Sequence, residues 1–164
     1  MSETTREEAI AKVAELIKEI NVAMLTTIDN GHLRSRPMAT QRDKFDGTLW
    51  FMTSTKTHKI DEIRADNRVN VSYSEPDDHI FVSVSGKAEV VTDRAKIKEF
   101  WNPAYKAWFP DGLDDPTICL MKVDVEQAEY WDSSSSMLVH LVGFVKALAT
   151  GTPAKGGENE KVNL

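Results

Sequence analysis

Along the chain, apolar residues recur first at a helical interval and then at every second position. Ile10, Val13, Ile17 and Ile20 stand three or four apart with charge between them, which predicts an amphipathic helix over roughly residues 5–20. Thr5-Arg6-Glu7-Glu8 supplies a Ser/Thr-x-x-Glu capping box at its start. From Val22 the period shortens to two. Val22–Ile28 and His32–Gln41 read as strands joined by the hairpin turn Asp29-Asn30-Gly31. Asp46-Gly47 turns into a third strand, Thr48–Thr53. A short helix with Ile60 and Ile63 on one face then runs to about Asn67. Val69, Val71 and Tyr73 alternate with polar residues before the turn Glu75-Pro76-Asp77-Asp78. Ile80, Val82 and Val84 alternate after it, and Gly86 within that run predicts a bulge or sharp bend.

Asp93 is placed to cap a third helix carrying Ile97, Phe100 and Trp101. A proline- and aromatic-rich loop follows, through Asn102-Pro103-Ala104-Tyr105 and Trp108-Phe109-Pro110-Asp111-Gly112. Ile118–Val125 and Glu129–Trp131 complete the strands, and Met137–Leu148 suits a last helix despite Gly143. The Gly-, Lys- and Glu-rich tail, residues 150–164, is expected to be disordered, leaving residues 1–149 as a single domain. About six or seven short strands joined mostly by tight turns imply a mainly β fold, a small antiparallel barrel with peripheral helices. The connections are too short for repeated βαβ units.

One segment breaks the electrostatic rules for a helix start. Thr53-Ser54-Thr55-Lys56-Thr57-His58-Lys59-Ile60 puts Lys56, His58 and Lys59 where the positive end of the helix dipole favours acidic residues. Cations there need an anion among them. Exposed N–H groups, hydroxyls and ammonium groups together make a phosphate cradle. The preceding strand reads Arg34-Ser35-Arg36-Pro37-Met38-Ala39-Thr40-Gln41, so Arg34, Arg36, Met38 and Thr40 share one face. That face either extends the anion site or is a solvated strand surface. Pro37 implies an edge or irregular strand. Trp131, at a strand end before Ser133-Ser134-Ser135-Ser136, suits either a wall for a flat ligand or core packing.

Composition narrows the ligand. A formal net charge of −6 argues against nucleic acid and anionic membrane as partners, so a local basic cluster points to a small anion. The single cysteine, Cys119, lies in the apolar run Ile118-Cys119-Leu120-Met121 and reads as a core thiol; with no internal disulfide possible, a reducing compartment is expected. The N-terminus carries no secretion-signal pattern and no stretch approaches the ~20 apolar residues of a membrane span, so a cytoplasmic location is expected. His32, His58, His79 and His140 have no metal-ligand spacing, and dinucleotide, Walker and zinc motifs are absent from the sequence.

Arg36-Pro37-Met38, then Trp50-Phe51-Met52-Thr53-Ser54 with Thr57-His58-Lys59, then Val84-Ser85-Gly86-Lys87-Ala88, then Tyr130-Trp131-Asp132, resembles the pyridoxamine 5'-phosphate oxidase-like flavoproteins, and among them the general stress protein 26 branch. The resemblance spans about residues 5–150. It implies a split β-barrel and a homodimer with FMN at the interface. It also implies flavin phosphate ligands at Arg36 and Lys59. Thr53, Ser54, Thr57 and His58 fall in the phosphate and ribityl loop. Met38, Ala39, Thr40 and Gln41 run beside the isoalloxazine ring, with Pro37 and Met52 also at cofactor-binding positions, and Trp131 is supplied by the second subunit. FAD or a deazaflavin stays open, because a phosphate cradle says little about what lies beyond the phosphate.

The departures bear on the reaction. The oxidase follows its tryptophan with an arginine and a histidine that hold substrate; here the stretch is Ser135-Ser136-Met137-Leu138-Val139, and neither is present. Vitamin B6 oxidation is therefore not expected, since Met or Val cannot pair a buried phosphate. Phe81 replaces a polar cofactor contact. The expected function is a flavin-dependent oxidoreductase of a small molecule, with NAD(P)H or another small compound as partner. The alternatives are a non-catalytic flavin-binding or redox-sensing stress protein, and a barrel that binds haem or no cofactor.

Overall fold

The structure, a computed structural model, describes residues 5–41, 45–133, 148 and 157–164. Helix α1 spans Arg6–Ile17, closed at its N-terminus by the expected box: Thr5 Oγ1 accepts from the Glu8 amide and Glu8 Oε2 accepts from the Thr5 amide at 2.8 Å. It stops short of Ile20, which is buried beyond the helix. Strands β1 (Val22–Asp29) and β2 (His32–Ala39) form the predicted hairpin, with Asn30 at φ 48° and Gly31 at φ 83°. Two positive φ values are what a tight primed turn requires. The remaining elements are β3 (Thr48–Ser54), α2 (His58–Ala65), β4 (Arg68–Glu75), β5 (Ile80–Val91), α3 (Arg94–Glu99), two 3-10 turns (Pro103–Ala107 and Gly112–Asp114), β6 (Ile118–Asp132) and β7 (Glu158–Asn163).

The strands form one antiparallel sheet in the order β2-β1-β4-β5-β6-β3, with β7 on β6. β2 and β3 end the path and approach each other without a ladder, so the sheet curls into a barrel left open along one seam. Pro37 therefore sits on an edge strand, as its missing N–H demands.

Two features differ from expectation. β6 runs unbroken through Glu126-Gln127, where the polar residues suggested a gap. The ladder passes from Ser85↔Gln127 to Gly86↔Val125, so Glu126 is the extra residue of a bulge. Gly86 is required there: a Cβ would lie 2.2 Å from the Asp124 carbonyl oxygen. The second difference is the tail, whose end is not disordered. β7 adds to β6 over Gln127↔Asn163 to Asp132↔Glu158, buries Val162, and gives the Tyr130 hydroxyl two carboxylates, Glu158 and Glu160. The helix expected over residues 137–148 lies outside the described residues except Leu148.

The main core fills the space between α1 and the sheet, with Val13, Leu25, Phe51, Val71, Val84 and Val123 at its centre. A second cluster, Ile97, Phe100, Phe109, Ile118 and Leu120, seats α3 and the 3-10 turns against the outer side of β3 and β6. There Trp50 stacks on Phe100 at 5.1 Å between centroids, with Lys96 Nζ 5.0 Å over each ring. This cluster holds the aromatic loop over the open seam.

Candidate functional site

A cavity of about 540 Å³ occupies the seam. One wall is the end of β2, with Pro37, Met38 and Ala39; another is the end of β3, with Met52, Thr53 and Ser54. The start of α2 closes one end through Thr57 and Lys59, and Tyr105, Trp108 and Phe109 of the aromatic loop close the other. The volume lies within the range of small-ligand sites, roughly 300–1,000 Å³.

The α2 end is built for an anion. The loop into the helix is braced: Ser54 Oγ donates to Thr117 Oγ1 at 3.0 Å and accepts from the Lys56 amide at 3.2 Å, and Thr117 is held by Asp115. The Asp115 carboxyl is lowered below its usual value by the Thr117 hydroxyl and amide. Thr57 occupies the N-cap position but does not cap, because its hydroxyl donates to the Ser54 carbonyl at 2.9 Å. The leading amides of α2 thus have no side-chain cap among the described residues, as suits an incoming anion. Lys59 is half-buried beside them. Desolvation, then the like charge of Arg36, lower its ammonium below the ordinary value, with the Glu62 carboxylate opposing. An ammonium held against its preference for water is poised to gain from an anionic ligand.

The expected cation cluster is not free of acid. Asp61 lies in the first turn of α2, and Glu62, with its side chain 6 % exposed, pairs with both β2 arginines: Arg36 Nη2 at 2.8 Å and Arg34 Nη1 at 3.2 Å. Arg36 also donates to buried Thr27 Oγ1. Sequence spacing could not show this, because Arg36 and Glu62 are 26 residues apart. The one available signal was the same-face pair Arg34 and Arg36, which calls for a carboxylate opposite. Arg36 lies close enough to lower Lys59, although it is turned toward Glu62 and does not line the cavity wall.

The other expected positions divide. Pro37, Met38, Ala39, Met52, Thr53, Ser54, Thr57 and Lys59 converge on the cavity. His58 does not: it faces a separate polar groove with Asp29, Arg34 and Asp61, because adjacent residues on a helix point about 100° apart. Thr40 donates to the Ile20 carbonyl at 2.6 Å, and with Gln41 it lines a neighbouring cavity. Gln41 still reaches the site indirectly, donating through Nε2 to the Tyr105 hydroxyl at 2.7 Å. Tyr105 and Trp108 went unrecognised as lining residues in the sequence, where the aromatic loop carried no pattern. Trp131 lies away from this cavity, 40 % exposed on the outer face of the sheet and directly opposite Phe81. Residues 135–139, where the oxidase's substrate residues would fall, lie outside the described residues. Cys119 is buried beneath the site, and burial pushes its thiol up to about 11, the neutral form of a core residue. Among the described residues no helix is long and apolar enough to cross a membrane, and no His, Cys, Asp and Glu group is arranged to hold a metal.

Comparison with known proteins bears on the same residues. The profile of the family described as "Pyridoxamine 5'-phosphate oxidase like" matches residues 8–154. Protein bli-3 of Neurospora crassa is 30% identical over 164 residues, covering 93% of this chain and 78% of that protein. General stress protein 26 of Bacillus subtilis is 28% identical over 134 residues, covering 79% of this chain and 93% of its own length. The crystal structure of the general stress FMN/FAD binding protein from Xanthomonas citri superposes with a TM-score of 0.66 at 31% identity, covering 77% of this chain and 89% of that one. The superposition extends over the sheet that carries the seam. The chain belongs to the pyridoxamine 5'-phosphate oxidase-like family and has its split-barrel fold.

Proposed function

We propose that the protein binds FMN in the seam cavity and uses it as a flavin-dependent oxidoreductase on a small molecule. The observation that carries this reading is the polarity of the cavity. Lys59, the uncapped start of α2 and the braced hydroxyl loop stand at one end, and Met38, Met52, Tyr105, Trp108 and Phe109 form flat apolar walls toward the other. A phosphate with a long, ring-bearing tail satisfies both ends at once; inorganic phosphate or an unphosphorylated ring satisfies one. The similarity to the Xanthomonas citri FMN/FAD binding protein supports the same ligand class.

When bound, the flavin supplies the hydride chemistry, and the protein's part is to bind, orient and shield it. Lys59 would face the phosphate, Arg36 would add its charge from behind the cavity wall, and the apolar walls would exclude water from the ring. The homodimer belongs to the reading. Val22, Met24, Leu33, Phe81 and Trp131 are exposed on the outer face of the sheet, and a second copy laid on that face would cover them and bring Trp131 to its partner's flavin. NAD(P)H is the proposed reductant.

The test is an absorbance spectrum of the purified protein, with mass spectrometry of what heat releases. Flavin bands with FMN in the released fraction support the reading, and a colourless protein that gains no melting temperature on adding FMN or FAD overturns it. Repeated reduction by NAD(P)H and reoxidation separates an enzyme from a stress protein that only holds the cofactor: a single stoichiometric reduction refutes turnover.

A further inference from the structure

Glu62 stands among cations. Its Oε2 accepts from Arg36 Nη2 at 2.8 Å and from the Thr27 hydroxyl at 2.5 Å, and its Oε1 accepts from Arg34 Nη1 at 3.2 Å. Thr27, fully buried, accepts from Arg36 Nη1 through the same hydroxyl. The pair therefore grips both terminal nitrogens of Arg36. Lys59 feels the cluster too: the charge of Arg36 disfavours its protonated form and that of Glu62 favours it.

A buried carboxylate is costly unless it is paired and hydrogen-bonded, and here both conditions are met by Arg34, Arg36 and Thr27, next to the proposed phosphate site. Arg34, Arg36 and Lys59 bring three cations together at the junction of β2 and α2. A ligand phosphate would relieve their repulsion, but the chain must also fold and persist when the cavity is empty. Glu62 sits where it can do this. A guanidinium has five N–H donors, and Glu62 and Thr27 each take one from Arg36. The same arginine can thus be shared with a ligand at reduced strength.

We propose that Glu62 is a built-in stand-in for the ligand's anion, neutralising Arg36 when the cavity is empty and competing with the phosphate for it when the cavity is filled. The inference rests on the phosphate-cradle reading above. Its consequence is specificity. Glu62 sets how strongly the site prefers a phosphorylated flavin to the same ring without phosphate, and it keeps that preference low enough for the cofactor to exchange.

The experiment measures dissociation constants of FMN and riboflavin by flavin fluorescence, for the flavin-free wild-type protein and for Glu62→Gln and Lys59→Met. The Glu62→Gln change keeps shape and an acceptor for Arg36 while removing the competing charge. The ratio of the riboflavin constant to the FMN constant should rise on the order of tenfold, as expected for deleting one like charge several ångströms from a phosphate dianion, and riboflavin binding should stay within about twofold. An unchanged ratio overturns the proposal. So does a lower one, which would instead make Glu62 a residue that positions Arg36. Should Glu62→Gln fail to fold, Thr27→Val loosens the same grip without changing shape and should raise the ratio by a smaller factor, roughly threefold; a flat or falling ratio again overturns the proposal. A wild-type protein that binds both flavins equally, with Lys59→Met making no difference, removes the phosphate cradle itself. A wild-type preference for FMN that Glu62→Gln leaves untouched refutes only the role of Glu62.

Discussion

Replacing Lys59 by methionine should weaken the ligand and strengthen the protein. The side chain is half-buried at the second position of α2, where the helix dipole opposes a cation, and both desolvation and the neighbouring Arg36 lower its ammonium. Methionine keeps the stem and removes the charge. The lost interaction is one charge-assisted hydrogen bond to a phosphate, about 1.5–3 kcal/mol. Two unit charges in contact near a protein surface are worth ~1–4 kcal/mol over the range from bulk water to the partly screened interior, which brackets the same figure. FMN affinity should therefore fall roughly 10- to 150-fold. Riboflavin, without the phosphate, should bind as before. The flavin-free protein should gain on the order of 1 kcal/mol, discounted for the part of the side chain still reaching water, which for a chain of this size is a melting temperature ~2–4 °C higher. Fluorescence titration of both flavins and calorimetry of the flavin-free protein read the three quantities. An unchanged FMN constant, an equal loss for riboflavin, or a lower melting temperature would each refute the assignment of Lys59 to the phosphate.

The same lysine gives a pH signature. Phosphate binding favours its charged form, so its value is higher in the complex than in the free protein, and FMN affinity is complete below the free value and falls as pH rises through it. Because the free value is lowered from 10.5, the fall should begin at a lower pH than an ordinary lysine would give, riboflavin should show none of it, and Lys59→Arg should abolish it. Gly86→Ala places a Cβ 2.2 Å from the Asp124 carbonyl oxygen and should cost about 1–3 kcal/mol in chemical denaturation; a neutral result would show that the bulge is not fixed by backbone contact. Deleting residues 158–164 removes buried Val162, the Lys12–Glu158 ion pair and both carboxylates on the Tyr130 hydroxyl, and should cost about 2–4 kcal/mol. A disordered tail would cost nothing.

Legibility of the chain followed the range of the forces involved. Alternation in Val69-Val71-Tyr73 and Ile80-Val82-Val84 is local, and those strands lie where it predicts. Asn30-Gly31 reports a backbone conformation that other residues resist, Gly86 a close approach of backbone that a Cβ would block, and both are used as read. β7 was hidden because Glu158-Asn159-Glu160-Lys161 is polar and contributes one buried apolar residue, Val162; its place comes from a ladder to residues about thirty positions earlier. The continuity of β6 was hidden because a bulge lets a polar pair pass through a strand without breaking it. In the site, contiguous segments were legible: Pro37-Met38-Ala39 and Met52-Thr53-Ser54 reach the cavity together. His58 belongs to the cationic run in sequence yet lies outside the cavity in space, by one step around a helix.

The anion end of the cavity is less stable than the same chain could make it. An uncapped helix start, a desolvated lysine beside an arginine and a carboxylate buried to hold that arginine each run against the usual preferences of a folded chain. Elsewhere those preferences are met: α1 carries a complete capping box, and the side chain of Asp93 caps α3. The contrast within one small domain supports the proposed anion end better than any single motif does. Helix caps are easily supplied by Ser, Thr or Asp, and α2 has Thr57 at the right position with its hydroxyl turned the other way, into the Ser54 carbonyl. That orientation leaves the His58 and Lys59 amides without a side-chain cap among the described residues, while the Ile60 amide bonds the Thr57 carbonyl, and Lys59 puts a cation beside them.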